Sequence, residues 1–150
     1  MCVIIDADVA SRVFAVPCED DFAPLWEWID RRSGKLVFGG KNGVELKRLG
    51  KVKGRLMQMW RAGQALQVLT TRIDAEKTVV TRLGICRSND PHVIALARAS
   101  GARILCTNDQ NLETDFKNRT LVPSPRGKVY KTARHERLLG HNSICIGRPR

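Results

Sequence analysis

The sequence predicts an α/β domain built around a parallel sheet, and three observations support this. A chain of 150 residues with 43% apolar residues is long enough to bury a core. Residues 2–5 form a short β-branched apolar run, which is typical of a buried strand. Residues 88–91 give a strong helix start, residues 93–97 an apolar helix face, and residues 103–107 a buried strand directly afterwards. A helix that leads into such a strand is half of a βαβ crossover, which implies a parallel sheet.

Apolar spacing predicts further elements in the first half of the chain. A helix spans about residues 20–32, with an acidic residue at its start and one apolar face. Residues 36–38 form either a short strand or a buried turn. A long helix covers about residues 44–61, although Gly50 and Gly54 weaken it and allow a kink or break.

The remaining elements have weaker signals. Residues 39–43 contain three glycines, which favours a flexible hinge ahead of the long helix. We expect a strand at residues 65–69 and a helix at residues 74–83. Residues 120–122 are predicted to be the last strand, and residues 132–139 a short helix in a basic tail.

The charge is strongly basic. There are 26 Lys and Arg residues against 15 Asp and Glu residues, with a pI near 10.0. Residues 31–61 hold ten basic residues and one acid, and residues 117–150 hold nine basic residues and one acid. Such stretches attract polyanions, so we expect a nucleic acid partner; the alternative is a solubilising excess of charge without a partner. The candidate phosphate contacts are Lys47, Arg48, Lys51, Lys128, Lys131, Arg134 and Arg137.

The cysteines and the hydropathy predict a soluble cytoplasmic protein. The five cysteines are odd in number and none forms a CxxC pair, which favours reduced thiols over a disulfide framework. Asp6 and Asp8 interrupt the apolar run after Met1, so no signal peptide is expected. No apolar stretch approaches the roughly 18 residues that a membrane span needs.

Four acids are expected to converge at one edge of the sheet. Asp6 and Asp109 each follow a predicted strand directly, at the carboxyl end where ligands gather in parallel sheets. Asp90 begins a helix, and helix N-termini face that same edge. Glu45 begins an otherwise apolar row on its helix, so its carboxylate is predicted to face inward.

Clustered carboxylates repel one another unless a cation neutralises them. Oxygen ligands without a Cys or His partner favour Mg²⁺ or Mn²⁺ over zinc. Each acid alone also has a structural interpretation: Asp90 as a helix cap, Glu45 as a first-turn acid, and Asp109 as a turn former. These alternatives stay open at this point.

These motifs resemble those of the PIN-domain nucleases, a family that includes the toxins of bacterial toxin–antitoxin pairs. Residues 3–8 are similar to the family's opening strand with its first catalytic Asp. Residues 89–109 are similar to its acid-capped helix followed by a strand that ends in Thr-x-Asp. Glu45 resembles the family's helical Glu, and Asp115 resembles an additional acid. Asp8 departs from the family, which often has Asn or Ser at this position.

The resemblance covers residues 1–122 and implies an α/β/α sandwich around a parallel sheet. Residues 123–150 are expected to be a basic C-terminal extension that packs on or flanks this domain, and they go beyond the compact toxin pattern. The resemblance also implies dependence on Mg²⁺ or Mn²⁺ and an RNA substrate. A regulatory protein partner and a homodimer are further expectations.

The predicted function is metal-dependent hydrolysis of phosphodiester bonds, as an endoribonuclease. Asp6, Asp90 and Asp109 would hold the metal, and Glu45 would complete the shell or position the attacking water. Asp8 and Asp115 are candidate auxiliary ligands. The alternatives are a catalytically silent nucleic-acid-binding scaffold and a single-stranded DNA nuclease. The supporting residues, expected to orient the acids by hydrogen bonds, are Thr107 and Asn108.

Three other features of the sequence have weaker functional signals. His92 is expected to have a core or supporting role. Trp28 is the tryptophan predicted to lie at the surface, where it could stack on bases. A zinc site formed by His135, His141 and Cys145 is not expected, because the spacing fits no usual pair and a fourth ligand is missing.

Overall fold

The computed structural model of the chain describes residues 1–140 and 145–150. Neighbouring strands of its sheet are all parallel, in the order β3-β2-β1-β4-β5. This confirms the predicted α/β fold with a parallel sheet. The strands are β1 (Cys2–Ile5), β2 (Lys35–Phe38), β3 (Ala65–Gln67), β4 (Ile104–Cys106) and β5 (Lys128–Val129).

Helices cover both faces of the sheet. Successive strand residues point to opposite faces, so Val3 and Ile5 pack into one hydrophobic core and Ile4 packs into the other. Helices α1, α2 and α4 contribute to the first core, and α5, α6 and α7 to the second, which gives the three-layer sandwich. None of the described helices is long and apolar enough to cross a membrane. The helices are α1 (Ala7–Val13), α2 (Ala23–Asp30), α3 (Gly40–Lys47), α4 (Gly50–Arg61), α5 (Thr70–Leu83), α6 (Pro91–Ser100) and α7 (Gln110–Lys117).

The strand order places a topological switch point between β1 and β4. The chain first builds outward from β1 through β2 to β3, and it then returns to place β4 on the other side of β1. The connections that leave the carboxyl ends of β1 and β4 therefore diverge and open a crevice between them. Ligands of open α/β sheets bind in such crevices.

The segment after β2 differs from the sequence-based expectation. The predicted hinge at residues 39–43 is helical from Gly40 onwards, where a φ of 55° suits a glycine. The single long helix is in fact two helices, α3 and α4. The break lies at Leu49, whose extended backbone (φ −90°, ψ 102°) separates them. The predicted break therefore occurs, one residue before Gly50.

The last strand was predicted at the wrong place. Residues 120–122 form a turn, in which the Thr120 N–H donates to the Asn118 side-chain oxygen (2.9 Å). The fifth strand is β5, which pairs with β4. The sheet thus includes part of the segment predicted to be an extension. The short tail helix is present as a 3-10 helix, Ala133–Leu138.

A disulfide bond joins the two ends of the chain. Cys2 in β1 is bonded to Cys145, with 5.9 Å between their Cα atoms. The prediction of reduced thiols is therefore wrong for these two residues, because the fold returns the tail to the start of the sheet. Further along the tail, Arg148 pairs antiparallel with Gln67 and covers the exposed edge of β3.

Trp28 also differs from its prediction. Its side chain is only 5% exposed, and its indole N–H donates to the Gly140 carbonyl oxygen (3.0 Å). Gly34 packs so closely against the indole ring that a Cβ atom there would clash with it. Trp28 is therefore a core residue that anchors the C-terminal segment, and it is not available to stack on a base.

Candidate active site

The candidate site lies at the switch point, where the loops after β1 and β4 meet. Asp6 follows β1 directly and stands at the N-terminus of α1. Thr107 follows β4 directly, and its loop leads into α7. The backbone of these two loops is joined by a hydrogen bond from the Asp6 N–H to the Cys106 carbonyl oxygen (3.0 Å).

Asp6 is the buried centre of the site, at 5% exposure. The Thr107 hydroxyl donates to its Oδ2 (2.8 Å). Burial raises the pKa of Asp6 from its ordinary value of 3.8 to about 7, and the charges of Asp8 and Asp90 add to this rise, while the Thr107 hydrogen bond opposes it. The folded chain therefore holds a carboxyl group whose charged form is costly in the absence of a counterion.

Asp8 lies on the first turn of α1, beside Asp6. Its Oδ2 accepts a hydrogen bond from the backbone N–H of Asn108 (3.0 Å) and lies 3.4 Å from the Thr107 hydroxyl oxygen. Many members of the family that this sequence resembles have Asn or Ser at this position. In this chain the position supplies a second carboxylate beside Asp6. Asn108 orients this acid with its backbone.

Asp90 stands at the N-cap position of α6, with Pro91 at the start of the helix. Its side chain nevertheless makes no capping hydrogen bond. Its backbone N–H donates to the Ser88 hydroxyl (3.3 Å), and its own side chain is 30% exposed. The structural alternative for this acid, a helix cap, is therefore not realised, and its carboxylate stays available at the crevice.

Asp109 differs from Asp90, because its side chain does cap a helix. Its Oδ1 accepts from the backbone N–H groups of Asn111 (2.9 Å) and Leu112 (3.1 Å), so it caps α7. Its backbone N–H donates to the Thr107 hydroxyl (3.1 Å), which ties it to Asp6 through one side chain. Among the residues that the structure describes, no donor reaches its Oδ2. One oxygen is thus structural and the other is available.

Glu45 lies on α3 with its side chain 25% exposed. Its Oε2 is 3.8 Å from the Nε2 of His92, and its Oε1 is 3.9 Å from the Nζ of Lys41. The apolar row that predicted its inward direction is divided between α3 and α4. From α3, Glu45 contacts His92 in the first turn of α6.

His92 joins Glu45 to Asp90. Its imidazole is 3% exposed, with Nδ1 3.9 Å from Asp90 Oδ1 and Nε2 facing Glu45. Burial lowers the pKa of His92, and the nearby charges of Glu45 and Asp90 oppose this change. Its Nε2 is buried and has no hydrogen-bond partner among the described residues.

Asp115, the additional acid, is placed elsewhere. Its buried carboxylate accepts hydrogen bonds from the backbone N–H groups of Arg87 (2.9 and 3.1 Å) and Ser88 (2.9 Å). These contacts fix the loop that leads to Asp90. The structure therefore gives Asp115 the task of holding that loop, with both oxygens occupied by backbone donors.

Asn42 is a further residue of the site, and the sequence alone did not predict it. It lies on α3 at 1% exposure, and its side-chain amide donates to the carbonyl oxygen of Ile5, directly before Asp6 (3.0 Å). Its Oδ1 is buried without a partner among the described residues. The signal was a polar residue at the predicted hinge, which could be recognised only once the helix was known to begin at Gly40.

The donor set suits a hard divalent cation. Asp6, Asp8, Asp90 and Asp109 offer carboxylate oxygens, which Mg²⁺ and Mn²⁺ prefer. A cation would also reverse the effect that raises the pKa of Asp6. Among the described residues, no group of three or more His, Cys, Asp or Glu side chains is placed so that it could hold a metal ion. The residue types therefore suit such an ion, whereas their side chains are not gathered around one position.

The zinc alternative receives no support from the described residues. The His135 Nδ1 accepts the backbone N–H groups of Lys131 (3.0 Å) and Thr132 (3.3 Å), and Cys145 is bonded to Cys2. His141 lies outside the described residues.

The predicted phosphate contacts are placed unequally. Arg48, Lys51, Lys128, Arg134 and Arg137 are exposed. Lys131 is instead held by Glu113 of α7, with its Nζ 2.6 Å from Oε2. Lys47 is half-buried, with its Nζ 5.7 Å from the centre of the Phe38 ring.

The fold is similar to that of a solved chain. That chain belongs to the crystal structure of VapBC2 from Rickettsia felis bound to a DNA fragment from their promoter, with a TM-score of 0.51 and 13% sequence identity. The match covers 87% of this chain and 99% of that chain. The likeness is one of fold. No protein-family model and no curated protein matches the sequence.

Proposed function

We propose that this chain is a metal-dependent nuclease of the PIN type that hydrolyses phosphodiester bonds, with RNA as its substrate. The observation that carries the proposal is the corner formed by Asp6, Asp8 and Asp90. A buried carboxyl group with a pKa near 7 stands beside two further acids, at the switch point of a parallel sheet. The motifs of the resembled family and the shared fold support the same conclusion.

The acids divide the work of binding the ion. Asp6 and Asp90 would hold it, because neither carboxylate is used to cap a helix. Asp109 would add its Oδ2, and Asp8 is an auxiliary ligand. A bound Mg²⁺ or Mn²⁺ supplies positive charge that neutralises these acids and stabilises the phosphoryl oxygens during an in-line displacement.

The remaining residues orient the site. The Thr107 hydroxyl donates a hydrogen bond to Asp6 and accepts one from the backbone N–H of Asp109. Thr107 would thus position two acids. Asn108 fixes Asp8. Glu45, partly exposed at the side of the crevice, is placed to complete the ion's shell or to orient the attacking water. Asp115 contributes indirectly, because it holds the loop before Asp90.

Exposed basic residues would guide the substrate. Arg48 lies between α3 and α4, and Lys51 lies in the first turn of α4. Lys128, Arg134 and Arg137 lie in the C-terminal segment. Contacts of this kind bind the phosphate backbone without reading sequence. Lys131, which is paired with Glu113, and Lys47 are expected to contribute less.

We also propose partners by analogy. The similar structure contains VapBC2 bound to DNA, so a regulatory protein partner, as in a toxin–antitoxin pair, is proposed for this chain. A homodimer and a cytoplasmic location remain predictions. The disulfide between Cys2 and Cys145 removes the cysteine argument for that location, because such bonds are rare in the cytosol.

A catalytically silent nucleic-acid-binding scaffold is the second candidate function. The observation that favours it is Asp109, one of whose carboxylate oxygens is already used to cap α7. A scaffold would bind RNA equally well with and without divalent ions and would cleave nothing.

Cleavage of labelled RNA and single-stranded DNA distinguishes these functions. The purified chain is incubated with each substrate in Mg²⁺, in Mn²⁺ and in EDTA. We expect cleavage of RNA that requires a divalent ion and is lost in Asp6→Asn. The matched control is Asp74→Asn, which neutralises an exposed acid on α5 and should retain full activity. Full activity of Asp6→Asn would exclude the assigned site, and preferential cleavage of DNA would replace the RNA assignment.

A further inference from the structure

His92 is a buried polar side chain between two acids that come from distant parts of the sequence. Glu45 belongs to α3 and Asp90 precedes α6, and these two helices contact each other. The ring lies between them at 3% exposure. Because the ring is almost fully buried, its two nitrogens have little freedom to change direction.

The two nitrogens differ in what surrounds them. Nε2 is fully buried and has no hydrogen-bond partner among the described residues. An unpaired nitrogen at such a place is unfavourable, because its hydration has been lost without replacement. Oε2 of Glu45 lies 3.8 Å away, and the Glu45 side chain is 25% exposed, which leaves it room to approach Nε2.

We propose that His92 is a positioning residue of the proposed nuclease, which donates its Nε2–H to Glu45 and thereby directs that carboxylate toward the ion held by Asp90 and Asp6. The inference rests on the proposed function. Glu45 has several rotatable bonds, and a free side chain would lose conformational entropy each time it joined the site. A fixed hydrogen-bond donor restrains the Glu45 side chain before the ion binds and therefore reduces this entropy loss.

Lys41 is the competing partner of Glu45. Its Nζ is 3.9 Å from the other carboxylate oxygen, but its side chain is 59% exposed. Exposed ion pairs are screened by water and hold a side chain weakly. The buried imidazole therefore decides the orientation of Glu45, and Lys41→Ala serves as a control from the opposite side.

Two substitutions separate the two ring nitrogens. His92→Gln can place an amide N–H near the position of Nε2, whereas His92→Asn can place one only near Nδ1. Mn²⁺ binding to the full-length chain is measured by titration calorimetry, together with RNA cleavage and thermal unfolding. We expect His92→Asn to weaken Mn²⁺ binding by about 10- to 100-fold, the usual effect of losing an outer-shell partner. His92→Gln should restore binding to within about threefold of the original chain.

A double-mutant cycle with Glu45 shows whether the effect passes through this carboxylate. Glu45→Asp keeps the charge but withdraws it from Nε2, and it changes no buried residue. We expect Glu45→Asp to weaken Mn²⁺ binding as His92→Asn does, and the double variant to be hardly weaker than either one. Lys41→Ala should change binding by less than about threefold.

The outcomes separate this inference from the proposed function. If the original chain binds no Mn²⁺ and cleaves nothing, both are overturned. If it binds and cleaves, but His92→Gln is as weak as His92→Asn, the role of Nε2 is wrong and the nuclease proposal stands. Additive losses in the double variant would likewise reject the contact with Glu45. If His92→Asn does not fold, His92→Phe, which keeps a ring and removes both nitrogens, takes its place and should weaken Mn²⁺ binding as Glu45→Asp does; binding within about threefold of the original chain would reject the role of Nε2.

Discussion

Replacement of Asp6 by asparagine is expected to stabilise the metal-free protein at pH 8 while abolishing its cleavage activity. The pKa of Asp6 is raised in the folded chain from 3.8 to about 7, so the folded state holds this proton more tightly than the unfolded state does. The free energy of unfolding therefore falls as the pH rises through this window, and it levels off above about pH 7. A shift of this size corresponds to roughly 4 kcal/mol.

Asparagine has the shape of aspartate but cannot ionise. Its side-chain oxygen can still accept the hydrogen bond from the Thr107 hydroxyl. The variant therefore avoids the cost of a buried charge and loses little else. We expect its unfolding free energy to exceed that of the original chain by up to roughly 4 kcal/mol at pH 8, and to match it near pH 4.

Urea unfolding in EDTA, measured from pH 4 to pH 8.5, gives this difference directly. With a slope of about 1–3 kcal/mol per molar urea, the midpoint at pH 8 should rise by roughly 2 M. Carboxylates that do not interact with Asp6 cancel in the comparison, so the difference curve reports Asp6 together with its interactions with Asp8 and Asp90. Equal stability at all pH values, or a less stable variant at pH 8, would refute the reasoning.

Added Mn²⁺ should remove most of this difference in stability. An ion at 100 times its dissociation constant stabilises the folded chain by about 2.7 kcal/mol. The original chain should gain this stability at pH 8, where Asp6 is ionised, and the asparagine variant should gain little. The two experiments together test whether the acid corner is costly by itself and whether an ion removes the cost.

Three further substitutions test other parts of the site. Asp115→Asn should lower the unfolding free energy by about 2–3 kcal/mol in urea, because a carboxylate that accepts three backbone hydrogen bonds is replaced by a group that also carries donors. No loss would contradict its role in holding the loop. Asp109→Ala should lower the unfolding free energy by about 1 kcal/mol, because the α7 cap is lost. Asp90→Ala should leave the unfolding free energy unchanged, because Asp90 caps no helix. Both variants should lose cleavage activity. Equal stability losses would contradict this distinction. The double variant Arg48→Ala/Lys51→Ala should weaken RNA binding for all sequences and reduce the slope of log affinity against log salt by about 2, measured by fluorescence anisotropy; an unchanged slope would exclude phosphate contacts there.

Strong local signals explain which elements could be predicted. Helix α6 begins with a proline at its first position and ends at Gly101, which has the left-handed conformation (φ 81°) that glycine favours. Strand β1 is a β-branched run buried on both faces. In both cases neighbouring residues decide the structure. The parallel sheet followed from these two units.

Tertiary contacts explain what could not be predicted. Strand β5 has two residues, and only its pairing with β4 makes it a strand. The disulfide joins cysteines separated by 143 positions, and Trp28 is packed against Gly34 and bonded to the carbonyl oxygen of Gly140, 112 positions away. None of these contacts leaves a periodic pattern in the sequence.

The hydrogen bonds of the acids sharpen what the sequence alone left open. Every candidate had a structural interpretation, and spacing could not choose among them. The hydrogen-bond donors around each acid distinguish these interpretations. Backbone N–H groups donate to Asp115 and to one oxygen of Asp109, as is usual for acids with a structural role. Asp90 caps nothing, and Asp6 receives one hydroxyl while it is buried beside two like charges. An acid that destabilises its own fold contributes nothing to packing, which supports the proposed cation site at the switch point.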